Sequence, residues 1–145
     1  MAVAVLDSNI LIDYKDTSPE IRHGRAERII YAIDSGDLPT ARVTNYVLLE
    51  SLNWIHERQR HDIAVDLKRR LADSAGFELV HCAQKDFTTA VELFETYENL
   101  AFGDATIAAY MRRTSIEYLY SFDDDFDEVE GITRLETADN PFNGP

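Results

Sequence analysis

Short apolar runs alternate with stretches of helical periodicity along this chain, and that alternation leaves few folds open. Ala2-Val3-Ala4-Val5-Leu6 reads as a first strand, followed by strands at 41–44, 77–80 and 118–120, with a fifth at 132–135. A short helix capped by Ser8 or Asn9 is predicted through Tyr14, and further helices over 20–34, 45–58, 62–74, 84–98 and 104–113. Ile29, Ile30 and Ile33 recur at helical spacing, as do Ile63, Leu67 and Leu71, and again Val91, Phe94 and Tyr97. Parallel strands cannot be joined by a tight hairpin and need a long crossover, which a helix supplies. The pattern therefore predicts an α/β fold, a parallel sheet with helices on both faces, in one domain over residues 1–136. Residues 137–145, with Pro141 and Gly144, are expected to fray.

Composition narrows the function classes. No segment approaches the roughly 18 consecutive apolar residues of a membrane span, so a cytoplasmic protein is expected. Cys82 is the only cysteine, which excludes an internal disulfide and a cysteine-rich zinc site. Net charge is −13, spread along the chain, and only Lys15, Lys68 and Lys85 are lysines. Such an acidic, lysine-poor surface is similar to those of proteins from salt-accumulating cytoplasms. It also opposes simple electrostatic binding to nucleic acid, so a nucleic-acid function would need a metal ion and local arginines.

Four acids can be argued to one place. Asp7 ends the first strand, and open α/β sheets bind ligands at the carboxyl ends of their strands. Glu50 falls on the helical wheel beside Tyr46, Val47 and Trp54, away from the arc of Leu48, Leu49, Leu52 and Ile55 expected to face the sheet. Asp104 follows Gly103, where a helix N-cap is its plainer role, but Ala105, Ala108 and Ala109 would let that helix approach the sheet closely. Asp123 lies in Ser121-Phe122-Asp123-Asp124-Asp125-Phe126-Asp127, a run that usually means a solvated loop but that Phe122 and Phe126 would anchor. Two like charges about 4 Å apart cost roughly 4 kcal/mol at an effective dielectric near 20, so convergence of all four would call for a divalent cation.

With these residues assembled, the chain resembles the PIN-domain ribonucleases, and most closely the VapC-type toxins of toxin–antitoxin pairs. The carriers are Val5-Leu6-Asp7-Ser8-Asn9, Thr44-Asn45-Tyr46-Val47-Leu48-Leu49-Glu50, Phe102-Gly103-Asp104-Ala105 and Ser121-Phe122-Asp123-Asp124-Asp125-Phe126. The resemblance implies a three-layer sandwich around a five-stranded parallel sheet of order 3-2-1-4-5. It implies Mg²⁺ or Mn²⁺ held by Asp7, Glu50, Asp104 and Asp123, with Ser121 two residues before the fourth acid, and RNA cleavage leaving a 5′-phosphate and a 3′-hydroxyl. Asp125 or Asp127 could stand in for Asp123, and Asn9 is either a hydrogen-bonding support or only a cap.

Carboxylate-held cations can supply all that phosphodiester hydrolysis needs, so His23, His56, His61 and His81 are expected to be structural or superficial. Candidate phosphate contacts are Arg22, Arg25 and Arg28, the Arg58-Arg60-His61 cluster, Lys68-Arg69-Arg70 and Arg112-Arg113. The helix over 45–58 carries apolar residues on two sides, which predicts cover by a partner, with Trp54 as an anchor. A homodimer neutralised by a small antitoxin is the reading the resemblance adds. The alternatives are a housekeeping RNA-processing nuclease of the same fold and a catalytically idle binding module. A receiver-type signalling domain fits poorly, because no lysine follows Lys85.

Overall fold

The computed structural model describes residues 2–143. Its sheet contains β1 (Val3–Leu6), β2 (Thr40–Thr44), β3 (Phe77–Val80), β4 (Tyr118–Tyr120) and β5 (Thr133–Leu135), all parallel, in the order β3-β2-β1-β4-β5. Val5 pairs with Arg42 on one side and Leu119 on the other, which makes β1 the central strand and buries Ala4, Val5 and Leu6 completely. This is the sheet the sequence predicts.

Six α-helices connect the strands among the described residues: α1 (Ser8–Lys15), α2 (Glu20–Ser35), α3 (Asn45–Arg58), α4 (His61–Asp73), α5 (Gln84–Thr96) and α6 (Phe102–Thr114). The path steps from β1 to β2 to β3, then crosses back over the sheet to β4. Right-handed crossovers therefore place α1 to α4 on one face and α5 and α6 on the other. The packing agrees, with α1 against α2 and α3, α3 against α4, and α5 against α6. Buried Asp86 of α5 holds Arg113 of α6 at 2.7 Å and accepts the Ala83 N–H at 2.7 Å, which fastens that second layer. None of the helices is long and apolar enough to cross a membrane among the described residues.

Two helices present faces other than those expected. On α3 the buried residues are Val47, Ser51 and Ile55, whereas Leu49 is 57% exposed. The four-residue spacing of Val47, Ser51 and Ile55 is the true inward stripe. Ser51 fits there because its hydroxyl donates to the Val47 carbonyl at 2.7 Å and needs no other partner. On α5 the buried residues are Asp86, Ala90 and Leu93, and Val91 and Phe94 point outward. The segment 137–143, expected to fray, is tied to the body: Tyr120 donates to the Asp139 carbonyl at 2.8 Å and Asn140 to that of Asp37 at 3.0 Å. Gly144 and Pro145 lie outside the described residues.

The reversal of path between β1 and β4 creates the switch point where such sheets take their ligands. The Asp7 N–H donates to the Tyr120 carbonyl at 3.0 Å, so the two chains leave the sheet side by side there.

Candidate active site at the switch point

Asp7 is the N-cap of α1, contrary to the expectation that Ser8 or Asn9 takes that role. Its Oδ1 accepts the Ser8 N–H at 2.7 Å, and its Oδ2 accepts the Ser121 hydroxyl at 2.7 Å. Ser121 is fully buried and works through one oxygen, donating to Asp7 and accepting from Asn9 Nδ2 at 3.3 Å and from the Asp123 N–H at 3.0 Å. Asn9 also takes the Phe122 N–H at 3.2 Å, so it clasps the loop after β4 instead of capping α1. This network ties the first strand's acid to the Ser121–Asp123 loop.

Glu50 stands on the second turn of α3, raised to the site because Thr44 caps that helix directly at the end of β2. Ser8 bridges the two acids, its hydroxyl hydrogen-bonded to Glu50 and 3.4 Å from Asp7. Asp104 is in the first turn of α6, three residues beyond the cap residue Ala101, so the N-cap role expected for it is not the one it has. Ala105, Ala108 and Ala109 of that helix are buried. At Gly103 an added Cβ would lie 3.5 Å from Glu50 Oε2, a measure of how near the two helices pass.

Asp7, Ser8, Tyr46, Val47, Glu50, Gly103, Asp104 and Ile107 line one cleft of about 10 Å³. That is room for a particle no larger than a water molecule. Larger cavities lie elsewhere, so the cleft suits an ion and not an organic cofactor.

Burial and neighbouring negative charge both disfavour ionised carboxylates here. Burial pushes Asp7 up to about 6, with the charges of Glu50 and Asp123 adding to the rise and the Ser121 and Ser8 hydrogen bonds opposing it. Asp104 is pushed up to about 9 by burial first, then by the charge of Asp7, a hydrogen bond with Asp123, and the charges of Asp123 and Glu50. A carboxyl raised that far by burial and neighbouring negative charge occupies a place suited to a cation.

The three candidates for the fourth acid, Asp123, Asp125 and Asp127, have different surroundings. Asp123 caps the 3-10 turn Asp124–Glu128, accepting the Asp125 N–H at 3.0 Å, and faces Asp104. Asp127 is turned away and forked by Arg134 at 3.0 and 3.1 Å. Asp125 is raised by the Asp123 charge before any other cause. Among the described residues, Asp123, Asp124 and Asp125 are the trio of potential ligands whose atoms fall within 4.8 Å of one another. Asp7, Glu50 and Asp104 share their cleft without forming so tight a trio. The tightness of the 123–125 group follows from adjacency in the chain, whereas the other three come from separate elements.

Two residues support the site in roles that the sequence does not signal. Ser8 meets an acid 42 positions away, a contact with no local signature. Arg134 anchors the acidic loop by donating to the Ser121 carbonyl at 3.2 Å while it neutralises Asp127.

The family model of the PIN domain matches residues 4–132. In structure, the chain is similar to the sarcin–ricin-loop-cleaving toxin VapC20 of Mycobacterium tuberculosis, with a TM-score of 0.74 and 23% identity over 90% of this chain and 97% of that one. It is also similar to a toxin–antitoxin complex of Klebsiella pneumoniae, at 0.63 and 21% identity over 90% and 95%. VapBC2 of Rickettsia felis, bound to a DNA fragment from its promoter, matches at 0.69 and 13% over 92% and 97%. No curated protein matches the chain.

Proposed function

The chain belongs to the PIN-domain family, and from that premise we propose that it is a metal-dependent endoribonuclease serving as the toxin of a toxin–antitoxin pair. The observation that carries this reading is that Asp7, Glu50 and Asp104, from three separate elements, line one cleft at the switch point, with the Asp123 loop tied to Asp7 through the Ser121 hydroxyl.

The donor set fits a hard divalent cation: all carboxylate oxygen, no thiolate or imidazole, in a cleft of ionic size. Asp7, Glu50 and Asp104 would hold Mg²⁺ or Mn²⁺, with Asp123 completing the ring. When bound, such an ion neutralises developing phosphoryl charge and supplies an activated water.

The chain's own residues prepare the site. Ser121 and the Ser8 N–H fix both oxygens of Asp7, so its carboxylate is oriented before anything binds. Ser8 orients Glu50 in turn. Burial and the surrounding carboxylates raise Asp104 to about 9, which favours its uncharged form at neutral pH and lessens the negative charge of the cleft. Glu50 and Gly103 are exposed, so a phosphodiester reaches the acids from their side, and the missing side chain at Gly103 keeps that approach open.

A homodimer and an antitoxin are part of the proposal. Phe87, Val91 and Phe94 form an exposed stripe on α5, and Phe87 and Phe94 meet Phe102 edge-to-face at 5.4 and 5.6 Å. Such a stripe beside the site is a fitting seat for a second copy. Trp54, by contrast, is half-buried beneath Arg58 at 5.1 Å, a weaker anchor than expected from its size.

The test is RNA cleavage by pure protein. Cleavage should require Mg²⁺ or Mn²⁺, stop in EDTA, and fall by orders of magnitude in Asp7→Asn and Asp104→Asn. Expression alone should arrest growth, and co-expression of an adjacent small reading frame should relieve the arrest. Undiminished cleavage in EDTA overturns the metal mechanism, and normal growth overturns the toxin role.

A further inference from the structure

A cavity of about 530 Å³ opens between α3 and α4, lined by Leu52, Asn53, His56, His61, Ala64, Val65, Lys68 and Arg69. On a chain of net charge −13, no carboxylate is in that lining. Lys68 and Arg69 are exposed, and among the described residues neither has a carboxylate within 4.0 Å. Five other arginines, Arg22, Arg42, Arg60, Arg113 and Arg134, are each paired with a carboxylate. What sets Lys68 and Arg69 apart is that they share one cavity whose lining carries no acid.

The histidines add donors. His56 and His61 meet Nδ1 to Nδ1 at 3.2 Å with their rings edge-to-face. In that contact one Nδ1–H donates and the other Nδ1 accepts, so the accepting ring carries its own proton on Nε2. At least one N–H therefore remains for a ligand. Asn53 supplies an amide, and Leu52, Ala64 and Val65 form an apolar floor.

Position connects the cavity to the acids. Glu50 and His56 lie on the same helix, six residues apart, about 9 Å along its axis at 1.5 Å per residue and about a third of a turn round it. That is a short step along a nucleic-acid strand.

We propose that the α3–α4 cavity is a phosphate subsite for the RNA strand, in which Lys68, Arg69 and the His56–His61 pair hold a backbone phosphate flanking the one at the acidic cleft. This subsite rests on the nuclease reading. Like charge would expel an acidic strand from most of this surface, and here cationic side chains draw it in. An apolar floor beneath them suits the face of a neighbouring base.

The test uses the full chain carrying Asp7→Asn, to suppress cleavage, and a short fluorescein-labelled single-stranded RNA read by anisotropy. Adding Lys68→Gln and Arg69→Gln should weaken binding about tenfold and reduce the slope of log affinity against log salt by about 0.7 for each phosphate left without its cation. Lys15→Gln with Lys85→Gln makes the same charge change at residues placed in no site and should leave binding within about twofold. In the chain with Asp7 intact, the α4 pair of substitutions should raise KM and spare kcat. Equal losses from both pairs would reduce the effect to bulk charge and overturn the subsite. Unchanged RNA binding with normal cleavage overturns the subsite and leaves the nuclease reading standing, as does an α4 pair that weakens only antitoxin co-purification. No RNA binding and no cleavage by any form overturns both.

Discussion

The Ser121 hydroxyl donates to Asp7 Oδ2 at 2.7 Å across 114 positions of sequence, joining the ends of the two strands that flank the switch point. Because Ser121 also takes the Asp123 N–H and Asn9 Nδ2, one oxygen positions two acids and a loop.

Removing that oxygen should loosen the site without unfolding the protein. Ser121→Ala leaves Asp7 with one fewer donor and raises its carboxyl further above about 6, since the Ser121 bond is the strongest influence opposing burial. Mn²⁺ affinity and cleavage should each fall about 10- to 100-fold, as when groups supporting metal ligands are removed. Titration of Mn²⁺ against both proteins, alongside cleavage rates, checks this. Equal affinity would show that Ser121 only packs.

Metal-free protein should become less stable as pH rises. Asp7 and Asp104, at about 6 and about 9, keep protons in the folded state that an unfolded chain has released by about pH 4. The folded form therefore binds more protons between those limits, and unfolding free energy declines as pH increases through the window. In EDTA, melting temperature should drop from pH 6 to pH 9, and Asp104→Asn should remove much of that drop while abolishing cleavage. Mn²⁺ should raise the melting temperature of the unsubstituted protein more than that of Asp104→Asn. A melting temperature independent of pH would contradict the raised carboxyls that burial and repulsion produce at the cleft.

Gly76 tests the packing of β3 against α2. A Cβ there would lie 2.2 Å from the Ile33 carbonyl oxygen, a backbone atom that cannot rotate away, and the Gly76 carbonyl accepts the Ala41 N–H at 2.9 Å. Gly76→Ala should cost about 1–3 kcal/mol, as overpacking does. Urea unfolding measures it, and a neutral result would mean that the α2–β3 junction shifts freely. Gly24, with only the flexible end of Arg28 at 3.8 Å, should accept alanine readily.

The sheet and the place of Asp7 are readable in the sequence because apolar runs of strand length and the turns after them are local signals. The orientation of α3 is not. Leu48, Leu49 and Leu52 outweigh Ser51 on a helical wheel, yet Ser51 is buried with its hydroxyl satisfied inside its own helix, and Leu49 is left outside. The choice among Asp123, Asp125 and Asp127 depends on Arg134, a residue of the last strand, whose pairing with Asp127 is a tertiary fact. For Asp104 the sequence offers cap and ligand as alternatives, and it does not cap at all, whereas Asp7, in place of Ser8 or Asn9, caps α1 while lining the cleft.

Salt should stabilise the fold. The chain has 27 acids against 14 lysines and arginines, and its acids are spread along the sequence instead of being confined to one tail. Folding gathers those charges, so their repulsion opposes the compact state more than the open chain. Screening shortens from about 10 Å at 0.1 M to about 3 Å at 1 M, so added KCl should raise the melting temperature chiefly within that range and then level off. Metal-free conditions are needed, because a divalent ion at the cleft would relieve part of the same repulsion. A rise that continues undiminished to about 2 M would point to general salt exclusion from the protein surface in place of screening. A flat curve below about 1 M would show that the surface acids are too far apart to matter.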